Sequence, residues 1–576
     1  MAVVRINIPS KGKLPDKWDK VQPHFPMPAP RKYQAEALSV IWWALENDDF
    51  DNIVVQAPTG IGKSAIAMTV QDRFRNAYLL TPTLGLTEQY RRDYGSKMKE
   101  VQGRRNFPCW ARSGTAEGAP CYKKKKKCRH AEEEDPCPYY EQKFAAEKAR
   151  LTLSNPAYMF RVTQSQAAGF EQRKLAVIDE AHNLESFFLG LLEIKITAQD
   201  YFFVDGAPKL PAIYDPDPMG WVDEMERVAD ALPPLIQMAE DNEDESTLDK
   251  LRSLLGRVAT VLGLLQHSKN VVMETDRNTL TFKPIRISQF APEYLENVGE
   301  KRLLLSATVL DIETYLRNLG LQDQRTLYVN ITKSPFPADN FNVHYAPCGP
   351  MSWGKRKHTI PKQVKAITAI AEHFREKRGV ILPHSHAIRT DIVEGLKAAG
   401  LGHRVLTHGS DARGRQLVLD KFMSDRSEAW ILVSTYVVEG FDFAGDLAEW
   451  LVICKIPYLY TPDPQIAQRM EQDELDFRAK HEGTPACPYE TPTKYSGNLC
   501  GSFACAKPCQ SWFHLQTALK LVQGMGRIVR RPDDVGHMFI LDRGWDQFQR
   551  KAGSLLPGWF RSALSEPPGW LKRHLP

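Results

Sequence analysis

Asn52-Ile53-Val54-Val55-Gln56-Ala57-Pro58-Thr59-Gly60-Ile61-Gly62-Lys63-Ser64, followed by the apolar Ala65 to Val70, decides the fold of this chain. A short apolar run, a glycine-containing turn and a helix-forming segment stand here in direct succession. That order is the phosphate-binding strand–loop–helix, with Ala57 in the place of its first glycine. Gly60 and Gly62 let backbone N–H groups turn toward phosphate oxygens at the positive end of the following helix. Ala57, Pro58, Thr59, Gly60, Ile61 and Gly62 are therefore expected to cradle phosphates. Lys63 is expected to reach the β- and γ-phosphates, and Ser64 to bind Mg²⁺.

Working outward, apolar runs of the same kind recur at Lys174 to Ile178, Arg302 to Leu305, Trp430 to Val433 and Met538 to Leu541. Runs this short, bounded by polar or glycine-containing turns, suit buried parallel strands. Helical patterns such as Tyr33 to Leu45 lie between them, so the fold class is α/β with parallel sheets. Trp221 to Gln266 differs: Leu, Glu, Asp and Ala recur at helical spacing, which reads as a helical insertion. Residues 461–511 are rich in Pro, Cys and polar residues and interrupt the second half.

The run Leu175 to Ile178 leads into Asp179-Glu180-Ala181-His182. Two adjacent acids at a strand end offer one carboxylate to a metal and one to an attacking water. Asp179 is expected to hold Mg²⁺ through its water shell, and Glu180 to polarise the water. Far downstream, Gln523-Gly524-Met525-Gly526-Arg527-Ile528-Val529-Arg530 places Arg527 and Arg530 on one helix face. Arginines that reach across a cleft to a γ-phosphate stabilise transition-state charge; the bland alternative is a basic helix face.

Composition sets the outer limits. The chain has 576 residues, 43% apolar and 25% charged, with a formal charge of +5. That is the profile of a multi-domain globular protein whose charge identifies no partner. No stretch approaches the ~20 apolar residues of a membrane span. The start lacks a secretory pattern, so the chain reads as intracellular and cytoplasmic, with no membrane partner. Eight of the ten cysteines fall into two groups, Cys109, Cys121, Cys128, Cys137 and Cys487, Cys500, Cys505, Cys509. Clustered cysteines in a reducing compartment point to metal ligation. Four thiolates close either a [4Fe–4S] cluster or a tetrahedral zinc site, and spacing alone does not choose. For the second group a zinc-stapled module is expected, with a second cluster as the alternative. Lys123 to Lys127 read equally as a solvated run or as a contact for a nucleic-acid backbone.

Taken together, the motifs between Arg31 and Gly544 resemble superfamily 2 helicases of the XPD/DinG type. Arg31-Lys32-Tyr33-Gln34 resembles the adenine-reading element, with Gln34 as the reader. Thr81-Pro82-Thr83 resembles motif Ia on the DNA path, Asp179 to Asn183 motif II and Ser306-Ala307-Thr308 motif III. Ser334-Pro335-Phe336-Pro337 resembles the marker that opens the second motor domain. Glu439-Gly440-Phe441-Asp442 resembles motif V, and Gln523 to Arg530 motif VI. Gln102 to Cys109, Cys137-Pro138-Tyr139-Tyr140 and Leu153-Ser154-Asn155-Pro156 resemble the entry to, exit from and return past the iron–sulfur domain.

The resemblance implies two RecA-like domains that hydrolyse ATP with Mg²⁺ in the cleft between them. Gln523 joins the catalytic set, and Glu439 and Asp442 join the nucleotide-binding set. It implies a [4Fe–4S] cluster on the first cysteine group, DNA contacts at Thr81, Pro82, Thr83, Asn155 and Thr435, and 5′-to-3′ travel of a monomeric motor on single-stranded DNA and forked duplex. Roles in DNA repair or replication go with that reading. A single-strand translocase that remodels proteins without processive unwinding is an alternative, and so is an RNA helicase.

The expected organisation runs in six parts. Residues 1–108, 151–190 and 285–330 form the first motor domain, 109–150 the iron–sulfur domain and 191–284 a helical arch-like insertion. Residues 331–576 form the second motor domain, with the cysteine-rich insertion at 461–511.

Overall fold

A computed structural model describes residues 3–111, 113–119, 121, 128–132, 134–164, 169–211, 218–266, 270–409, 411–435, 443, 445–481 and 511–576. Of these, 245, 412, 477–481 and 511 are described by backbone alone. The Glu439-to-Asp442 stretch, Lys123 to Lys127 and the second cysteine group lie outside the described residues.

Eight parallel strands make the first sheet, in the order Val3–Ile8, Thr326–Ile331, Asn52–Gln56, Gly299–Ser306, Arg173–Ile178, Ala77–Leu80, Leu151–Ser154, Lys99–Glu100. Seven parallel strands make the second: Val405–Thr407, Ile431–Val433, Gly379–Leu382, Trp450–Ile453, Gly536–Asp542, Phe341–Gly349, Leu564–Ser565. The apolar runs read from sequence are strands of these two sheets, and the helix begun at Tyr33 spans Gln34–Asn47.

Why the runs are continuously apolar is visible in how each strand is shared. In the first sheet Ile53, Val55, Val177, Leu303 and Leu305 enter one core, while Val54, Ile178 and Leu304 enter the other. The second sheet divides in the same way, Val380, Leu451 and Ile540 against Ile381, Val452 and Phe539. Helices cover both faces, so alternation has no solvent side to serve. The result is two doubly covered parallel sheets, a RecA-like pair.

The insertion between the strands Arg173–Ile178 and Gly299–Ser306 is helical over the stretch read so from sequence, and holds two long helices there, Val222–Asp241 and Glu245–Leu265. It also holds a small antiparallel sheet, Ile194–Thr197, Thr279–Pro284, Val271–Thr275. These short strands close the base of the helical pair, and Phe282 and Trp221 from the two layers share one core. No helix among the described residues is long and apolar enough to cross a membrane.

Candidate active site

The carboxyl edge of the first sheet gathers the motif residues. Five neighbouring strands end in Gln56, Ser306, Ile178, Leu80 and Ser154, and the segments that leave them are the ones singled out in the sequence. In open parallel sheets this edge is where ligands bind. Backbone bonds tie the segments together: Ala57 N–H donates to Ser306 O (2.8 Å), Asp179 N–H to Leu80 O (3.0 Å) and Thr81 N–H to Ser154 O (3.0 Å).

The phosphate loop has the backbone its glycines require. Gly60 and Gly62 sit at φ of 89° and 87°, a region closed to most side chains. Gly62 caps the helix Lys63–Asp72. A Cβ on Gly60 would collide with the ring of Phe336, which reaches over from the start of the second motor half. Arg31 and Gln34 brace the loop from outside: Arg31 Nη1 donates to Gly60 O (2.8 Å) and Gln34 Nε2 to Gly62 O (3.1 Å). Gln34 Oε1 accepts from Arg31 N–H at 2.6 Å. Both ends of the Gln34 amide are thus engaged by protein, and an adenine would have to compete for them.

Asp179 is buried and tightly oriented. Its Oδ2 accepts from Tyr90 Oη–H (2.8 Å) and its Oδ1 from Glu180 N–H (2.8 Å). Burial pushes its pKa up, against the pull of Lys63. Glu180 sits in left-handed backbone at φ 49°. It lies 3.6 Å from Lys63 Nζ and 3.3 Å from His182 Nδ1. Burial would raise its pKa too, but Lys63, His182, Arg527 and Arg530 outweigh that and hold it ionised. Burial, with Lys63 and Arg527 adding repulsion, lowers His182 to about 4 despite Glu180. A neutral His182 exchanges a hydrogen bond with Ser306 Oγ at 2.9 Å, which joins motif II to motif III.

The second half completes the site. Thr59, Glu180, His182, Ala307 and Thr308 line a cavity of about 50 Å³ whose other wall is Gln523, Gly526, Arg527 and Arg530. Phe443 N–H donates to Arg527 O at 3.2 Å, so the end of the motif V region packs on motif VI.

The residues expected on the DNA path occupy strand ends outside this cavity. Thr83 and Asn155 cap helices, accepting from Leu86 N–H (3.3 Å) and Tyr158 N–H (2.8 Å). Thr81 Oγ1 bonds Thr87 Oγ1 at 2.7 Å, which fixes the turn through Pro82. Thr435 follows the strand Ile431–Val433 in the second sheet, and its Oγ1 is buried without a partner among the described residues.

Cys109, Cys121, Cys128 and Cys137 lie in one loop-rich module with a minimal core: Ala116, Cys137 and Tyr139, with Phe107 and Tyr140 against them. Cys109 N–H donates to Gly114 O and Cys137 N–H to His130 O, and Cys137 precedes the helix Pro138–Lys148. A module this poor in apolar contacts and rich in thiols has the donor set of a thiolate-bound cluster. Yet among the described residues no three His, Cys, Asp or Glu gather closely enough to hold a metal ion, so the thiols do not converge as placed. Cys348 and Cys454 are buried core thiols, Cys348 pushed up to about 12 by burial.

Sequence reasoning missed Tyr90, which orients Asp179, and Gln56, whose Oε1 accepts from Val309 and Leu310 N–H at 2.6 and 2.7 Å to hold motif III. Gln56 carried one signal, a polar residue at the end of a buried strand. Tyr90 carried none.

Comparisons with known proteins agree with this geometry. The helicase C-terminal domain family matches residues 369–563, and the family of the type III restriction enzyme res subunit matches 27–199. The ATP-dependent DNA helicase YoaA of Escherichia coli is 23% identical over 270 residues, 46% of this chain and 36% of that one. The ATP-dependent DNA helicase DinG of Photobacterium profundum is 22% identical over 267 residues, 45% and 34% of the two chains. The chain thus spans about a third of the length of these curated relatives. An XPD helicase structure superposes with a TM-score of 0.60 at 15% identity, covering 92% of this chain and 99% of that one. The Xpd4 structure from S. tokodaii does so at 0.54 and 14%, covering 93% and 100%. With its two halves matched separately by helicase-type families and its paired sheets arranged as in the XPD structures, the chain is similar to the XPD/DinG-like helicases of superfamily 2.

Proposed function

We propose that this protein is an ATP-dependent DNA helicase that travels along single-stranded DNA, 5′ to 3′, as a monomeric motor working inside the cell. The observation that carries the reading is the shared cavity: Glu180 and His182 from one sheet face Gln523, Arg527 and Arg530 from the other. Lys63 and Ser64 stand at the start of the helix Lys63–Asp72, where a γ-phosphate and its Mg²⁺ would sit. Asp179 would hold the metal through its water shell, and the ionised Glu180 would orient the attacking water. Arg527 and Arg530 would meet the charge that develops on the transferred phosphoryl group.

Hydrolysis removes the negative charge that holds the two halves together, and the cleft reopens. His182 and Ser306 pass that change to the motif III strand, and the strands that lead into Thr81 and Asn155 lie farther along the same sheet. Alternating grip there and at Thr435 would move a single strand by steps. Phosphate contacts of this kind make binding fall with salt. Polarity and forked-duplex preference follow from the family likeness.

Cys109, Cys121, Cys128 and Cys137 are the proposed ligands of a [4Fe–4S] cluster that staples the module where the duplex would divide. Cys487, Cys500, Cys505 and Cys509 are the proposed ligands of zinc. Iron, sulfide and zinc analysis of anaerobically purified protein tests both assignments; iron absent with zinc bound by the first group would overturn the cluster.

ATP-driven unwinding of duplexes with a 5′ or a 3′ single-stranded tail tests the main reading. Unwinding from the 5′ tail alone is expected. Unwinding from the 3′ tail alone would refute the polarity, and DNA-stimulated hydrolysis with neither product would favour a translocase.

A further inference from the structure

Glu185 lies outside the nucleotide cavity and outside every motif quoted above. It sits on the helix Leu184–Leu191, one turn beyond motif II, and only 8% of it is exposed. Its Oε2 accepts from Trp512 Nε1–H (3.0 Å), Asn318 Nδ2–H (3.1 Å) and Gln516 Nε2–H (3.2 Å). Its Oε1 faces Arg469 Nη1 at 3.6 Å. Asn318 belongs to the first motor half, whereas Arg469, Trp512 and Gln516 belong to the second. Trp512 and Gln516 ride on the helix Ser511–Ile528, whose far end carries Gln523 and Arg527.

Arg469 is as constrained as its partner. Its side chain is 4% exposed, it donates to Asn318 Oδ1 (2.8 Å) and Asp473 Oδ1 (3.0 Å), and it lies over the Trp512 ring. Two buried charges from different halves therefore share one set of partners. A well-packed apolar pair would give comparable stability, so the charged pair calls for another account, and fixing registry is the best attested. Breaking it from one side would strand a charge in the interior.

We infer that Glu185 and Arg469 are positioning residues, anchoring the helix Ser511–Ile528 on the motif II helix and so setting where Arg527 and Arg530 meet the γ-phosphate. The inference rests on the ATP-motor reading. Gln516 and Arg527 are separated by about 16 Å of helix at 1.5 Å per residue. A rotation of about 10° at the anchor would move the arginines by about 3 Å, enough to break a hydrogen bond to phosphate.

The test measures ATP hydrolysis with saturating single-stranded DNA for Glu185→Gln, Arg469→Met and the double variant. A milder Gln516→Met, which leaves no charge unpaired, covers the case in which a single charge variant fails to fold. Each charge variant is expected to lower kcat about tenfold, as the loss of one aligned contact does, with KM for ATP within about twofold. The double should be no worse than the worse single, because the two act as one unit. Gln516→Met should lower kcat about threefold, again with KM for ATP held. Unchanged kcat in the variants that fold, or losses that multiply in the double, would overturn the anchor. Wild type that hydrolyses no ATP with any single strand would refute the motor reading itself, and so a different premise.

Discussion

Gly60→Ala and Phe336→Ala, made singly and together, probe the contact between the two motor halves at the phosphate loop. At φ 89° any side chain is strained, at about 1–3 kcal/mol. A Cβ there would also overlap three carbons of the Phe336 ring, and displacing a packed ring adds about 1–3 kcal/mol. Gly60→Ala should then destabilise by about 2–6 kcal/mol, the sum of strain and overlap. Phe336 is 8% exposed within the second core, so truncating it alone should take about 3–5 kcal/mol. In the double variant the backbone strain and the lost burial remain, but the overlap is gone. The double should therefore fall short of the additive sum by about 1–3 kcal/mol. Urea midpoints, followed by tryptophan fluorescence, measure all four proteins. Strict additivity would refute the contact and show that the ring lies clear of the loop.

Three further outcomes are expected. Lys63→Ala should abolish ATP hydrolysis while single-strand binding, measured by fluorescence anisotropy, is largely kept; loss of folding instead would contradict the assignment. His182 is held neutral at about 4 against an ordinary 6.5, so the unfolded chain takes up its proton first as pH falls. Stability from this group is full above pH 6.5 and declines toward pH 4 by up to about 3 kcal/mol, and His182→Gln should flatten that slope in pH-dependent denaturation. Asp542→Asn should destabilise the second half by about 2–3 kcal/mol in urea melts. Its Oδ1 accepts from Gly544 N–H (2.8 Å) and Met351 N–H (3.2 Å) and its Oδ2 from Ile456 N–H (2.9 Å), and an amide would turn one acceptor into a donor.

The sheets were legible because their central strands are buried on both faces and carry apolar runs, as in Ile53 to Val55. The phosphate loop was legible because Gly60 and Gly62 occupy backbone that few other residues tolerate. Motif VI was legible as a pattern, but its helix ends at Ile528, so Arg530 lies beyond it and does not share a helix face with Arg527, and nothing local says that Arg527 will line one cavity with Glu180 across 347 positions. The antiparallel sheet of the insertion was missed because Ile194–Thr197 and Val271–Thr275 are short and gain their meaning from pairing with Thr279–Pro284. Tyr90 acts through one long-range hydrogen bond and Glu185 through several, and such contacts leave no period and no spacing in the chain.

The cavity between the halves, about 50 Å³, is lined from both sides. The contacts across the halves differ in what separation would cost. At the phosphate loop the contact is the Phe336 ring on Gly60, a van der Waals contact that parts with little residual penalty. At Glu185 and Arg469, a parting too narrow to admit water would leave two buried charges and several donors unmatched, a cost of several kcal/mol. Arg286 reinforces that side, pairing with Asp473 at 2.7 Å and Asp476 at 2.5 Å. Opening should thus proceed as a rotation that keeps the Glu185 side closed and lifts Phe336 from the loop. ATP then restores the missing attraction where the contacts are weakest, and its hydrolysis withdraws it from the same place.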